Sequence, residues 1–205
     1  MQNTNILKHN QNLRYTLFAA MLIMIGVFGR WALSLFPNVE TLTAITLLSG
    51  VLLGSRWGII VPLVTVAISD IMYGNDAIFI YTWSAWLIIG LGASLAKERM
   101  RWIQKKPILF VGSMTAFGII ASLFFFLWTN FGVWQLFHFY PKNITGLLAS
   151  YIAGLPFLKF SLTGNIIIVP FVSITLLWIF KKLCERQNIS QTSALKYAHQ
   201  PHEEK

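Results

Sequence analysis

The chain has few charged side chains for its length. Asp, Glu, Lys and Arg make up 11% of its 205 residues, whereas 56% are apolar. So little charge cannot cover a soluble globule of this size, and the composition therefore indicates a membrane protein. The net charge of +9 comes from short basic runs between apolar segments. Because no basic face is interleaved with aromatic residues, we expect no nucleic-acid partner.

The chain also has only one cysteine and none of the common catalytic motifs. Because Cys184 is the only cysteine, the sequence excludes an intramolecular disulfide and a thiolate metal cluster. The sequence contains no HExxH, no His and carboxylate cluster at metal spacing, and no Ser/His/Asp grouping. An enzyme would need His138 and Asp70 to converge on a metal or a substrate. We therefore expect no enzymatic activity, no bound metal and no cofactor.

Apolar runs supply most of the sequence. A transmembrane helix needs about 20 apolar residues, and the second and third runs, 41–54 and 57–73, fall short of this length. We expect these two to lie against other helices or to stop partway through the bilayer. Segment 144–157 is also too short to cross and ends at Pro156. The predicted fold is all-α, a polytopic membrane protein with six transmembrane helices plus one short interfacial or re-entrant helix at 144–157. The six runs are 15–36, 41–54, 57–73, 77–96, 108–129 and 157–180.

The charges between these runs predict the topology, because Lys and Arg are retained on the cytoplasmic side. In a six-span protein all the basic clusters fall on one side, so both termini are predicted to be cytoplasmic. We divide the chain into a cytoplasmic N-terminal segment (1–14), a transmembrane domain (15–182) and a cytoplasmic tail (183–205). The polar tail from Gln187 has no apolar period and is expected to be disordered. The basic clusters are Lys8 with Arg14, Arg56, the run 96–106, and Lys181 with Lys182 and Arg186.

Four ionisable residues lie toward the predicted outer face: Arg30, Asp70, His138 and Lys159. Such residues are costly inside a membrane unless they are paired or near water, so they are candidates for function. Structural interpretations stay open beside the functional one. Arg30 and Lys159 could extend to the lipid headgroups, Arg30 and Asp70 could pair within the bundle, and His138 could be an interfacial residue.

Residues 124–140 read FFFLWTNFGVWQLFHFY, with nine aromatic residues in seventeen positions. An aromatic belt at the headgroup level explains Trp128, Trp134 and Tyr140. It explains Asn130 less well, because an amide at the end of a span needs hydrogen-bond partners. Aromatic walls with a few amides and charges are also typical of a pocket for a flat, partly polar organic molecule. Such a pocket would open outward.

Three longer strings carry a family resemblance. They are RWALSLFPNVETLTAITLLSGVLLG (30–54), IIVPLVTVAISDIMYG (59–74) and FFLWTNFGVWQLFHFYPKNITGLLASYIAGLPFLKFSLTGN (125–165). Together they resemble a family of uncharacterised six-span bacterial membrane proteins. That family is similar to the substrate-binding S components of energy-coupling-factor (ECF) vitamin transporters.

The resemblance implies a compact protein of the bacterial cytoplasmic membrane that captures a vitamin-like small organic solute from the outer side and delivers it inward. Delivery would either use an ECF scaffold and ATPase module or proceed through the protein alone. Because the chain has no Walker motif, any ATP-driven step would have to come from partners. The positions that match the family's motifs imply the following substrate-binding or shaping residues: Arg30, Asn38, Asp70, Tyr73, Asn130, Trp134 and Tyr140.

The chain departs from the S-component pattern at two places. The Ala-x-x-x-Ala seam of the first span is missing, because Ala19 and Ala20 are followed four residues later by Ile23 and Met24. The cysteine that ligates cobalt in a solitary cobalamin-transporting S component is also missing, since the corresponding segment reads SDIMYGND. A corrinoid solute would therefore need another cobalt ligand, for which His138 is the available candidate.

Small residues at four-residue spacing support an alternative function. Such spacing makes a flat seam that lets another backbone approach closely. A non-transporting membrane protein could use these seams to assemble with another membrane complex or to stabilise it. The seams are Gly50, Gly54 and Gly58; Gly92 and Ala96; and Gly146, Ser150 and Gly154.

Overall fold

The computed structural model describes residues 2–36, 38–74 and 76–198, and within them every regular element is a helix. The second helix continues directly into a π-helical turn, Ser49–Leu53. The all-α prediction is confirmed for these residues. The helices are α1 (Gln2–Ala32), α2 (Leu42–Leu48), α3 (Ser55–Tyr73), α4 (Phe79–Leu95), α5 (Lys97–Ile103), α6 (Pro107–Leu136) and α7 (Ile144–Ala198).

Several of these helices are long and apolar enough to cross a membrane. Four pass by length and composition: Gln11–Ala32 of α1, α3, α6, and Ile144–Glu185 of α7. A fifth passes if α4 and α5, which meet at a 57° bend, count as one broken span. Each is at least long enough to cross the hydrocarbon core of a bilayer, which indicates a membrane-embedded protein.

The short second segment forms the centre of the bundle. Every residue from Leu42 to Leu53 is buried, over α2 and the π-helical turn. This segment packs against α1, α3, α4, α6 and α7. Twelve helical residues are too short to span the bilayer alone, so their burial inside the protein supplies the apolar surroundings that lipid would otherwise provide. The prediction that this short run lies against other helices is confirmed.

Three glycines bring the backbones of the π-helical turn, α3 and α4 into close contact. A Cβ on Gly90 would overlap the backbone carbonyl of Gly58, and one on Gly58 would lie 3.1 Å from Gly50 Cα. Gly50 and Gly58 therefore pack inside the chain's own bundle, as small-residue seams do in membranes. Gly92 differs, because nothing lies within 4 Å of the position that its Cβ would take.

Two boundaries near the aromatic stretch differ from the prediction. α6 continues to Leu136, beyond the end of the predicted run 108–129, so that only residues 137–143 connect it to α7. The separate interfacial or re-entrant helix predicted over 144–157 is wrong, because these residues begin α7, which continues through Pro156 and Pro170. A proline removes one backbone donor without ending a helix where packing and neighbouring groups compensate.

The C-terminal part of α7 also extends further than the sequence analysis expected. The helix includes residues 187–198, where a disordered tail was predicted, and residues 199–205 lie outside the described part. Residues 181–198 contain neither glycine nor proline, so no strong helix breaker interrupts the backbone there.

The connections between helices lie at two opposite ends of the bundle. At one end the basic residues bind backbone carbonyls: Lys97 Nζ donates to Leu53 O at 3.0 Å, and Lys181 Nζ donates to Gln104 O at 2.7 Å. The connections at the other end are 33–41, 74–78 and 137–143. The basic runs thus share one end, as the charge pattern predicted.

Candidate functional site

A cavity of about 490 Å³ opens at the end of the bundle away from the basic runs. Its lining comes from α1, α2, α3, α4, α6 and α7 and from the connections at that end. Volumes of a few hundred Å³ are typical of small-molecule sites. The lining combines aromatic and aliphatic side chains with a limited number of polar groups, which is the composition such sites use.

Five of the seven predicted site residues line this cavity: Arg30, Asn38, Asp70, Asn130 and Tyr140. They are far apart in sequence and are brought together by the ends of α1, α3 and α6 and two connections. Tyr73 and Trp134 are not among the lining residues. Tyr73 is 50% exposed at the end of α3.

Arg30 forms an ion pair with Glu40 at the cavity. Arg30 Nε lies 3.3 Å from Glu40 Oε2, and both side chains are about one quarter exposed, at 25% and 23%. Asn38, in the left-handed region at φ 56°, lies in the connection that brings Glu40 back toward α1, a conformation that asparagine tolerates better than most residues. Burial raises the pKa of the Glu40 carboxyl above its ordinary value of 4.5, while the neighbouring Arg30 guanidinium lowers it.

Indole donors join α3, α4 and α6 beside the cavity. Trp83 Nε1 donates to Asp70 Oδ2 at 2.7 Å, which connects α4 to α3. Trp128 Nε1 donates to Ser84 Oγ at 2.8 Å, which connects α6 to α4. A charge-assisted bond such as that to Asp70 is stronger than a neutral one, so it holds the carboxylate in a defined orientation.

Asn130 packs tightly between α6 and α7. Its Nδ2 donates to Phe126 O at 2.8 Å, and its backbone carbonyl accepts from Ser150 Oγ at 2.9 Å. A methyl group added at Gly154 would overlap the Asn130 amide. Gly154 therefore leaves the space that the amide occupies, and both residues line the cavity.

A hydrogen-bonded polar cluster lies deeper in the bundle, at lining residues of the same cavity. Asn165 Nδ2 donates to Ser122 Oγ at 2.7 Å and to Thr43 Oγ1 at 3.2 Å. Ser161 Oγ donates to Ser122 Oγ at 3.1 Å, and Ser122 Oγ donates to Gly118 O. The cluster connects α2, α6 and α7, and Asn165 itself is buried. The sequence analysis did not predict these partners of Asn165.

The connection 137–143 is tied to the end of α6. Trp134 Nε1 donates to Pro141 O at 2.9 Å. Lys142 Nζ donates to Gln135 O at 3.0 Å, to Phe137 O at 2.7 Å and also to Trp134 O. These bonds satisfy carbonyls that a helix C-terminus leaves open. Trp134 thus anchors the connection that carries Tyr140 to the cavity.

The aromatic stretch is divided between cavity and packing. Phe125 and Phe126 line the cavity. Trp128 instead packs against Tyr81, with ring centroids 5.4 Å apart, and Tyr81 Oη donates to Gln135 Oε1. His138 is exposed in the connection. Within the described residues, no group of three or more His, Cys, Asp or Glu side chains could hold a metal ion.

Residues 9–186 match a family described as a family of unknown function, DUF6580. The chain belongs to this family. The match includes every residue that lines the cavity. No curated protein and no solved structure matches the chain. The family match carries no link between this DUF6580 protein and ECF S components.

Proposed function

We propose that this DUF6580 protein is a substrate-binding integral membrane protein for uptake of a vitamin-like small organic solute, as ECF S components are. The cavity of about 490 Å³ is the observation that carries the proposal. A cavity of this volume has room for a small organic solute. Arg30, Asp70 and Asn130 provide hydrogen-bond donors and acceptors among its aromatic walls. We propose no catalytic role for these residues.

The proposed orientation places the cavity at the outer face of a bacterial cytoplasmic membrane. Lys97 and Lys181 lie at the opposite end, and basic residues are retained on the cytoplasmic side. In this arrangement α1, α2 with its π-helical turn, α3, α4, α6 and α7 are six membrane passes. Both termini are then cytoplasmic.

Inward delivery of the solute would either use an ECF scaffold and ATPase module or be carried out by this protein without partners. The chain has no Walker motif, so ATP hydrolysis would have to come from partners. The Ala-x-x-x-Ala docking seam of S components is missing from α1, where Ala19 is buried and Met24 is 65% exposed. This favours delivery without that module.

Native mass spectrometry of protein extracted gently from membranes tests the proposal. A small organic molecule bound in stoichiometric amount is the expected result. The second candidate, a non-transporting protein that assembles with or stabilises another complex, is supported by the open surface at Gly92. A stoichiometric protein partner with no bound small molecule would favour that candidate instead.

A further inference from the structure

The cavity lining contains more negatively than positively charged groups. Its described lining contains one guanidinium, from Arg30, and two carboxylates, from Glu40 and Asp70. With all three ionised the lining carries one excess negative charge. No lysine or histidine is among the described lining residues to offset it. A solute of opposite charge is attracted by such a lining, and an anion is repelled.

The walls of the cavity favour the same kind of solute. Aromatic rings attract cations through the negative face of the ring, and tryptophan does so most strongly. Trp86 packs against Phe125 with ring centroids 5.0 Å apart and the ring planes tilted by 38°, and both rings line the cavity. The aromatic lining residues are Trp86, Phe125, Phe126, Tyr140 and Phe157.

The ion pair with Glu40 limits the ability of Arg30 to bind a solute. The Arg30 guanidinium is already engaged with the Glu40 carboxylate at 3.3 Å. An anionic solute would have to compete with Glu40 for Arg30 and would approach Asp70 as well. A positively charged solute is instead attracted by the excess negative charge of the lining and leaves the Arg30–Glu40 pair in place.

We propose that the cavity selects an organic cation, a solute that joins a positively charged nitrogen to a planar or aromatic body. This inference rests on the proposed solute-binding function and specifies its substrate class. Asp70 is the carboxylate nearest to the charge, Glu40 contributes by offsetting Arg30, and the rings around Trp86 cover the apolar body. Neutral and anionic compounds of the same size bind more weakly.

Thermal-shift measurements with three fractions of yeast extract test this selection. Ion exchange at pH 7 separates the extract into cationic, neutral and anionic pools of small molecules. The purified protein is expected to be stabilised by the cationic pool. Stabilisation by the neutral or anionic pool only, or by all three equally, would overturn the charge selection and leave solute binding standing. Stabilisation by none of the pools would contradict both proposals.

Charge-neutral variants locate the effect. Asp70→Asn keeps an oxygen that can accept from Trp83, and Glu40→Gln tests the second carboxylate independently. Each is expected to raise the amount of cationic pool needed for half-maximal stabilisation about tenfold or more. Asp76→Asn is the matched control, because Asp76 is exposed in a connection at the same end and does not line the cavity. An equal effect of Asp76→Asn would overturn the assignment.

Discussion

The indole of Trp83 donates a 2.7 Å hydrogen bond to the carboxylate of Asp70 and so joins α4 to α3 beside the cavity. This bond holds a half-buried ionisable group, and a charge without such bonds would be costly in apolar surroundings. The same carboxylate lines the cavity. Its position therefore serves both the packing of two helices and the polarity of the proposed site.

Trp83→Phe removes this donor while it keeps most of the ring. We expect a loss of about 1.5–3 kcal/mol in the free energy of unfolding, the usual contribution of a hydrogen bond to a charged group. Thermal or denaturant unfolding in detergent measures the change. Trp102→Phe is the control, since Trp102 is 77% exposed. Similar stability of the two variants would contradict the role given to the bond.

Gly90→Ala tests the close backbone contact at the centre of the bundle. The new methyl group would overlap the Gly58 carbonyl, and a backbone atom cannot move aside by changing rotamer. We expect a loss of about 3 kcal/mol in stability or a failure to fold. Gly92→Ala on the same helix has open space and should be tolerated. Normal stability of Gly90→Ala with loss of a bound partner protein would indicate a docking seam instead.

Much of this arrangement was predictable from the sequence. The predicted runs 57–73 and 77–96 lie within two residues of α3 (Ser55–Tyr73) and α4 (Phe79–Leu95), because the length of an apolar run bounded by polar residues marks such helices. Costly polar residues in apolar surroundings, such as Arg30 and Asp70, pointed to the cavity that they line.

Other features depend on the three-dimensional course of the chain and could not be predicted. The pairing of Glu40 with Arg30 requires the turn at 33–41, which the sequence analysis did not predict. The hydrogen bond from the Trp134 indole to Pro141 O likewise depends on how the connection 137–143 folds back on α6. The helix ending at Pro156 was wrongly predicted because a local rule about proline does not account for tertiary packing.

Arg30→Gln tests the electrostatics of the Glu40 carboxyl. Burial raises its pKa above 4.5 and Arg30 lowers it, so the variant should raise the pKa further. Because the pKa of Glu40 is higher in the folded protein than in the unfolded chain, the unfolded chain releases this proton at a lower pH. Stability should therefore fall from about pH 4.5 up through the folded pKa, over a wider range in the variant. Infrared titration of the carboxyl band, assigned with Glu40→Gln, measures the shift; an unchanged or lower pKa would contradict this.

Thiol labelling in spheroplasts tests the proposed orientation. Cys184 is the only cysteine and lies near Lys181 and Lys182, so a membrane-impermeant methanethiosulfonate should reach it only after permeabilisation. Thr129→Cys, in a Cys184→Ser background, places a thiol in the cavity lining and should react from outside. Labelling of Cys184 from outside with protection of the cavity thiol would reverse the orientation.

Occupancy of the cavity by a small molecule is the central claim, and native mass spectrometry of matched glycine variants tests it most directly. Gly154→Ala would push the Asn130 amide out of place, whereas Gly112→Ala adds its methyl group in open space. We predict that the wild type and Gly112→Ala carry the same small organic molecule. Its occupancy should fall about tenfold or more in folded Gly154→Ala. Equal occupancy in the two variants, or none in the wild type, would contradict the account.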